Sequence, residues 1–245
     1  MNESHIDIQY SPIIDYRYAN WFKTVMYNGN TLSDAERKEF VAILDETIKD
    51  YSEGLPLLHC IQDEFKNYQG EYYEIYSAVV SVMQFKVITM TDCMVACKYF
   101  ILADKDYDRR FMRGKLMVIL NEGFKKLYGF EHNTYKKSQW ERLLSIMRCF
   151  PRAINQQFQE LTYLLEKHAK SSSWWKEERD LETHIYDAEG LYNFRKEDII
   201  ESKVVIDTMK LFTTFLAINA FLTNLHACLR NFLVDKYNRG EIIHQ

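Results

Sequence analysis

Apolar residues recur along most of this chain at the three- and four-residue spacing of an amphipathic helix. In the first such run, Phe40, Ile43, Leu44 and Ile48 fall on one helical face. A second run, residues 71–105, keeps this spacing over its whole length without a glycine or a proline. No alternation of apolar and polar residues lasts long enough to build a sheet. The pattern therefore predicts an all-α protein, an antiparallel bundle or array of long helices.

Capping residues and helix breakers predict where these helices begin and end. Ser33 and Glu36 have the spacing of a capping box, so a helix should begin there and end near Glu53–Gly54. A second, shorter helix should follow Pro56, since proline rarely continues a helix. The remaining predictions are a turn at 104–108, helices at 109–128, 138–149, 153–169 and 196–237, and a loop at 190–193.

The same pattern divides the chain into an irregular N-terminal arm, residues 1–30, and a single helical domain, residues 31–245. The arm lacks the basic and apolar regions of a signal peptide. The most apolar candidate for a membrane span, residues 211–225, is interrupted by Thr and Asn and is shorter than the ~20 apolar residues that a span requires. We therefore expect a buried core helix in a cytoplasmic protein that has no membrane partner.

Composition and charge narrow the function classes. Only 8 glycines and 3 prolines occur, which favours long helices. The formal net charge of −4 gives the whole chain no electrostatic reason to bind nucleic acid. A basic cluster, RRFMRGK at 109–115, could contact phosphate, but such clusters are more often solvated helix faces. Five cysteines without clustered spacing are typical of the reducing cytosol rather than of a disulfide framework.

Metal and cofactor motifs are missing from the sequence. Cys93 and Cys97 are one helical turn apart, but neither a CxxC motif nor a histidine at ligand spacing accompanies them, so we interpret them as small core residues. The Glu-x-x-His motif that carboxylate di-iron bundles require does not occur. Glycine-rich phosphate-binding loops are missing as well. The sequence therefore predicts neither a metal nor a cofactor.

The candidate for chemistry is the stretch KEERDLETHIYDAEG, residues 176–190. Here an acid, Asp180, directly follows Arg179, and His184 lies five residues after the arginine. This motif, in a helix-rich chain and ahead of a long apolar helix, resembles the signature of the HEPN superfamily. That superfamily consists of small all-α domains found in many prokaryotic toxins and anti-phage proteins. The HEPN-like region extends from about residue 140 to residue 236.

The resemblance implies a metal-independent endoribonuclease of the toxin or anti-phage effector type. The RNA 2′-hydroxyl attacks the adjacent phosphate, with Arg179, Asp180 and His184 as the catalytic residues and Thr183 and Tyr186 as their binding neighbours. Histidine suits the proton transfer because its ordinary pKa is near 6.5. The arginine suits the charge that develops on phosphate, since its planar fork donates several hydrogen bonds. The implied partners are RNA, a second copy of the chain and a protein antitoxin or regulator.

Helix geometry adds a constraint to this interpretation. Asp180 and His184 are four residues apart, so on a regular helix the carboxylate can reach and orient the imidazole. Arg179 lies about 140° around the helix from His184, so these two side chains do not converge on one straight helix. Either the helix frays here, or the site is assembled from two copies across a dimer.

Other interpretations remain open. A second Arg-x4-His match, Arg239 to His244, lies in the last residues and has glycine in the second position. The stretch 176–190 is also a plausible charged helix start, in which Arg179 pairs only with a nearby glutamate. The chain would then be a non-catalytic helical module that binds RNA or protein, or an all-α protein of unrelated function.

Overall fold

A computed structural model describes residues 32–65, 71–171, 175–183, 188–196, 198 and 201–240. These residues contain one 3-10 turn, Met147–Cys149, and no β-strand. Their α-helices are α1 Asp34–Phe65, α2 Glu71–Leu102, α3 Asp106–Leu127, α4 His132–Tyr135, α5 Gln139–Ile146, α6 Arg152–Ser171, α7 Lys176–Thr183, α8 Ala188–Lys196 and α9 Glu201–Asn238. The predicted all-α helical array is confirmed, while the predicted arm, residues 1–30, lies outside the described residues.

Helix α2 lies at the centre of the array and packs against α1, α3 and α9. The apolar side chains on its inner faces are buried, and burial of apolar surface is the main stabilising term of a fold. Among them are Val79, Val82, Met90, Met94, Cys97 and Phe100. By length and composition alone, Tyr73–Leu102 could cross a membrane, with a mean hydropathy of 1.4 over its most apolar window. Half of that window is buried inside the fold, and core helices of soluble proteins pass the same test.

The prediction of a core helix at 211–225 is confirmed by α9. Its apolar residues at helical spacing are each at most 1% exposed: Leu211, Phe215, Ile218, Leu222 and Leu225. Phe221 of the same helix joins an aromatic cluster in which Trp140 and Phe158 stack with ring centres 4.8 Å apart. Helix α9 thereby holds α6 as well as α2 against the core.

Helix ends follow the predicted local chemistry in two places. The capping box at the start of α1 is confirmed, because the Ser33 amide donates to Glu36 Oε2 at 2.7 Å and the Glu36 amide to Ser33 Oγ at 3.3 Å. At the end of α3, Gly129 has a φ of +89°, a conformation that side chains disfavour. Its amide donates to the carbonyl of Phe124 and closes the helix.

Three predicted boundaries are wrong, and packing explains two of them. Helix α1 does not end near Gly54 but continues through Pro56, since Ile61 packs against the core and Gln84 of α2 bonds Gln62 beyond the proline. The predicted loop 190–193 lies inside α8, which Phe194 anchors by burial. The last helix begins at 201 rather than 196. In the first two cases tertiary contacts override the local propensity of Gly and Pro.

Glu201, in the first turn of α9, joins the ends of four helices. Its side chain is 3% exposed and accepts from Arg37 of α1 at 2.7 Å and from Arg109 of α3 at 2.8 Å. Arg37 also donates to the carbonyl of Ile101, and Arg109 to that of Ala103, at the C-terminal end of α2. The two guanidinium groups thus satisfy one buried carboxylate and the carbonyls at a helix end together.

Lys86 of α2 places an ammonium group in this core. The residue is 2% exposed, and its Nζ donates to Asn219 Oδ1 of α9 at 2.6 Å. The same nitrogen lies 4.7 Å from the ring centre of Tyr51 on α1. Burial lowers the pKa of Lys86 to about 8, because the charged form loses its hydration. The protonated lysine therefore opposes folding at neutral pH.

Replacing Lys86 by methionine should stabilise the protein at neutral pH and lose that advantage at high pH. Between pH 8 and about 10.4 the unfolded state binds more protons at this position than the native state, so wild-type stability gains with rising pH. The variant also loses the hydrogen bond to Asn219. We therefore expect the free energy of unfolding of Lys86→Met to exceed that of the wild type by about 1–2 kcal/mol at neutral pH. Urea unfolding at several pH values measures this gap, which should narrow towards about pH 10.

Lys49→Met is the matched control, because the Lys49 side chain is 72% exposed on α1. Its effect on unfolding should be small at every pH. A Lys86→Met variant that is less stable than the wild type by the same margin at neutral and at high pH would contradict the account.

Candidate functional site

The stretch that carries the Arg-Asp motif forms α7, a short helix that packs mainly on α3 and contacts its neighbour α8. Trp175 precedes the helix, has a φ of 56° and packs against the core. Its carbonyl accepts a hydrogen bond from the Arg179 amide at 2.9 Å. A left-handed tryptophan costs about 1–2 kcal/mol, so packing must hold it. Trp175 therefore anchors the start of α7.

Glu182 is the main polar anchor between α7 and its neighbours. Its side chain is 1% exposed, and its Oε1 and Oε2 each lie 2.9 Å from Arg195 Nη2 of α8. Lys115 Nζ of α3 lies 3.8 Å from Oε2. A buried carboxylate without such partners would be strongly destabilising. The ion pair therefore fixes α7, α8 and α3 relative to one another.

Gly114 of α3 makes room for this carboxylate. A Cβ atom at position 114 would lie 2.3 Å from the Cδ and Oε1 of Glu182, much closer than van der Waals contact. A shift of the Glu182 carboxylate away from this methyl group would disturb its contact with Arg195, because the Glu182 side chain is only 1% exposed. An isolated glycine in a helical run is the sequence signal for such a close approach.

Arg179 lies on the face of α7 that meets α3. Its side chain is 17% exposed, and its Nη1 contacts Asp180 Oδ1 at 2.8 Å. Its Nε donates to Asn121 Oδ1 at 3.3 Å and lies 3.6 Å from Glu122 Oε1, both on α3. The glutamate near Arg179 is therefore Glu122 of another helix rather than a glutamate close to it in the sequence. No local pattern indicates Asn121 or Glu122, because only the packing of α7 on α3 brings them to the arginine.

Of the predicted site residues, the structure brings Arg179, Asp180 and Thr183 together on α7. The Asp180 side chain is 44% exposed, and its Oδ1 contacts the guanidinium of Arg179. Thr183 is exposed, and its hydroxyl donates to the carbonyl of Arg179 at 2.8 Å. His184 and Tyr186 lie outside the described residues. The predicted contact between Asp180 and His184 therefore stays a prediction.

The basic cluster at 109–115 is not a solvated helix face, which corrects the sequence interpretation. Arg109 pairs with Glu201, as described above, and Arg110 Nη1 donates to the carbonyl of Arg195 at 2.6 Å. Arg113 is 5% exposed and lies 4.3 Å from the ring centre of Phe194. The three arginines hold α8 and α9 on α3, so they are structural rather than a phosphate-binding surface.

Two histidines elsewhere join pairs of helices. His226 Nε2 lies 3.2 Å from the Tyr76 hydroxyl, and His168 Nδ1 lies 3.2 Å from the Thr214 hydroxyl. Burial, and then the nearby charge of Arg230, lower the pKa of His226. The two histidines thus take part in contacts of α9 with α2 and with α6.

Two of the five cysteines, Cys93 and Cys97, are buried in the core. Cys93 and Cys97 are 3% and 0% exposed, which confirms their interpretation as core residues. Burial raises the pKa of Cys97 to about 12, against a smaller lowering by the Thr208 hydrogen bond, so the thiol stays protonated. Within the described ranges, no three side chains of His, Cys, Asp or Glu lie together in a way that could hold a metal ion.

Comparison with known proteins gives no relative: no protein-family model, no curated protein and no solved structure matches this chain. The HEPN resemblance therefore rests on the motif at residues 179–184 and on the helical context alone.

Substituting Gly114 by alanine should destabilise the protein although alanine favours helices. The new methyl group would push Glu182 away from Arg195, and overpacking of this kind costs about 1–3 kcal/mol. Chemical denaturation measures the change in the free energy of unfolding. Gly54→Ala is the matched control, because Gly54 lies inside α1 with nothing within 4 Å of its Cβ position. The control should gain up to about 1 kcal/mol; an equal gain at both positions would show that Gly114 is not needed for the Glu182 contact.

Proposed function

We propose that the chain is a metal-independent endoribonuclease of the HEPN type, a toxin or anti-phage effector. Arg179, Asp180 and His184 are its catalytic residues, and Thr183 and Tyr186 lie beside the substrate. The observation that carries the proposal is the pairing of Arg179 with Asp180 on a short peripheral helix, with side chains 17% and 44% exposed. A phosphate can reach this guanidinium from solvent after a small rotation of the side chain.

The reaction that these residues serve needs two proton transfers. An imidazole takes the proton of the RNA 2′-hydroxyl while its oxygen forms a bond to the adjacent phosphorus. The bond from phosphorus to the 5′-oxygen breaks, and an imidazolium returns a proton to that oxygen. The products are a 2′,3′-cyclic phosphate and a 5′-hydroxyl end. Arg179 stabilises the negative charge on the phosphate during the exchange.

A dimer supplies both proton-transfer groups. One copy contributes one His184, and two copies placed around one cleft contribute a base and an acid. The same arrangement removes the geometric conflict within a single helix, since Arg179 of one copy then acts with His184 of the other. We therefore include a homodimer in the proposal, with a protein antitoxin or regulator as a further partner and the cytoplasm as the location.

A second candidate function is a non-catalytic module that binds RNA or protein. The observation that favours it is the engagement of Arg179 with three protein side chains, Asn121, Glu122 and Asp180. An arginine held in this way is also a structural contact between α7 and α3. The two candidates differ in a single outcome, which is whether RNA is cleaved.

The test is incubation of total RNA with the purified protein in the presence of a metal chelator. Wild type should cleave RNA and leave 2′,3′-cyclic phosphate ends, because no metal takes part in the reaction. His184→Ala should reduce the rate by about 10²–10⁴, the usual contribution of a general acid–base group. Arg179→Ala should lower it to a similar extent through the loss of charge stabilisation.

The second Arg-x4-His match provides the control. Arg239→Ala and His244→Ala remove the same residue types at the same spacing and should leave the rate unchanged. Cleavage that is equal in wild type and His184→Ala would rule out the catalytic proposal. Binding of RNA without cleavage would favour the second candidate.

A further inference from the structure

Arg179 is held by acceptors of two different kinds on α3. Asn121 is fully buried, so its carbonyl oxygen, 3.3 Å from Nε, is a fixed part of the core. Glu122 is 32% exposed, and its Oε1 lies 3.6 Å from the same Nε. The same oxygen also lies 3.4 Å from Lys125 Nζ, one helical turn away. Asn121 therefore positions the guanidinium, whereas Glu122 can move away from it.

The charges around Arg179 oppose the binding of an anion. Two carboxylates, Asp180 and Glu122, lie within 4 Å of one guanidinium, so the local charge of these three groups is −1. A phosphate that approaches Arg179 meets repulsion from both carboxylates. Asp180 belongs to the motif, whereas Glu122 comes from a different helix. Glu122 also competes with the phosphate for the positive charge of the guanidinium, whose Nε–H is donated to Asn121.

We propose that Glu122 restrains Arg179 and sets the affinity of the site for the phosphates of RNA. The inference rests on the proposed function, in which Arg179 binds the phosphate. In the free protein Glu122 holds the guanidinium against α3. When a phosphate binds, Glu122 turns to Lys125, and Asn121 keeps Nε in place. Glu122 is thus a positioning residue. It weakens the binding of unpaired strands and of DNA-like strands to the protein, and it favours ligands whose phosphate contacts are sufficient to displace it.

The experiment measures binding apart from cleavage. The probe is a short single strand of 2′-O-methyl RNA with a fluorescent end, which lacks the attacking hydroxyl and cannot be cleaved. Fluorescence anisotropy gives its Kd for full-length wild type and Glu122→Gln at physiological salt. We expect the variant to bind about two- to fivefold more tightly, the range that corresponds to an exposed ion pair. In the Arg179→Ala background, Glu122→Gln should have no effect.

The matched control is Glu177→Gln, which removes an exposed carboxylate from the first turn of α7. At physiological salt its charge is largely screened from the bound strand, so the Kd should stay close to that of wild type.

A spectroscopic measurement adds a result that a purely structural role would not produce. The Nε–H signal of Arg179 in proton–nitrogen correlation spectra should shift on addition of the strand, and at lower strand concentration in Glu122→Gln.

Several results would overturn the inference: equal Kd values for Glu122→Gln and Glu177→Gln, persistence of the effect without Arg179, or no binding by any variant. Failure of the proposed function has a different signature. If unmodified RNA is not cleaved but Glu122→Gln still tightens binding of the methylated strand through Arg179, the ribonuclease proposal fails and the inference stands.

Discussion

The position of the candidate site depends on one buried carboxylate. Glu182 is 1% exposed, and it is held by Arg195 from α8 and by Lys115 from α3. A buried charge requires this arrangement, because removal of one partner of such a pair costs about 3–5 kcal/mol. Gly114 gives the carboxylate its space. With Glu182 in place, α7 lies along α3, and Arg179 reaches Asn121 and Glu122.

A second buried carboxylate joins other helices of the array in a similar way. Glu201 receives two arginines, from α1 and α3, and the same arginines satisfy the last carbonyl groups of α2. In the cluster at 109–113, Arg109 faces inward to Glu201, whereas Arg110 and Arg113 donate to the backbone carbonyls of Arg195 and Phe194 on α8. Positive side chains that resemble a phosphate-binding surface are instead used to join helices.

The sequence predicted the helices better than their junctions. The capping box at Ser33 and the core face of 211–225 are local or periodic signals, and both are confirmed. The continuation of α1 through Pro56 and the helix at 188–196 depend on tertiary contacts that no local pattern records. The same limit applies to the site. Arg179 and Asp180 are visible as a motif, but Asn121 and Glu122 are 58 and 57 residues away along the chain.

The claim that Glu182 holds α7 on α3 is tested most directly by native-state hydrogen exchange in wild type and Glu182→Gln. Without the carboxylate, the buried charge of Arg195 loses its partner, and α7 should open locally while the core stays folded. We predict that the amides of α7 exchange roughly a hundredfold faster in the variant, whereas those of α2 and α9 keep their wild-type protection. Equal protection of α7 in both proteins would contradict the account.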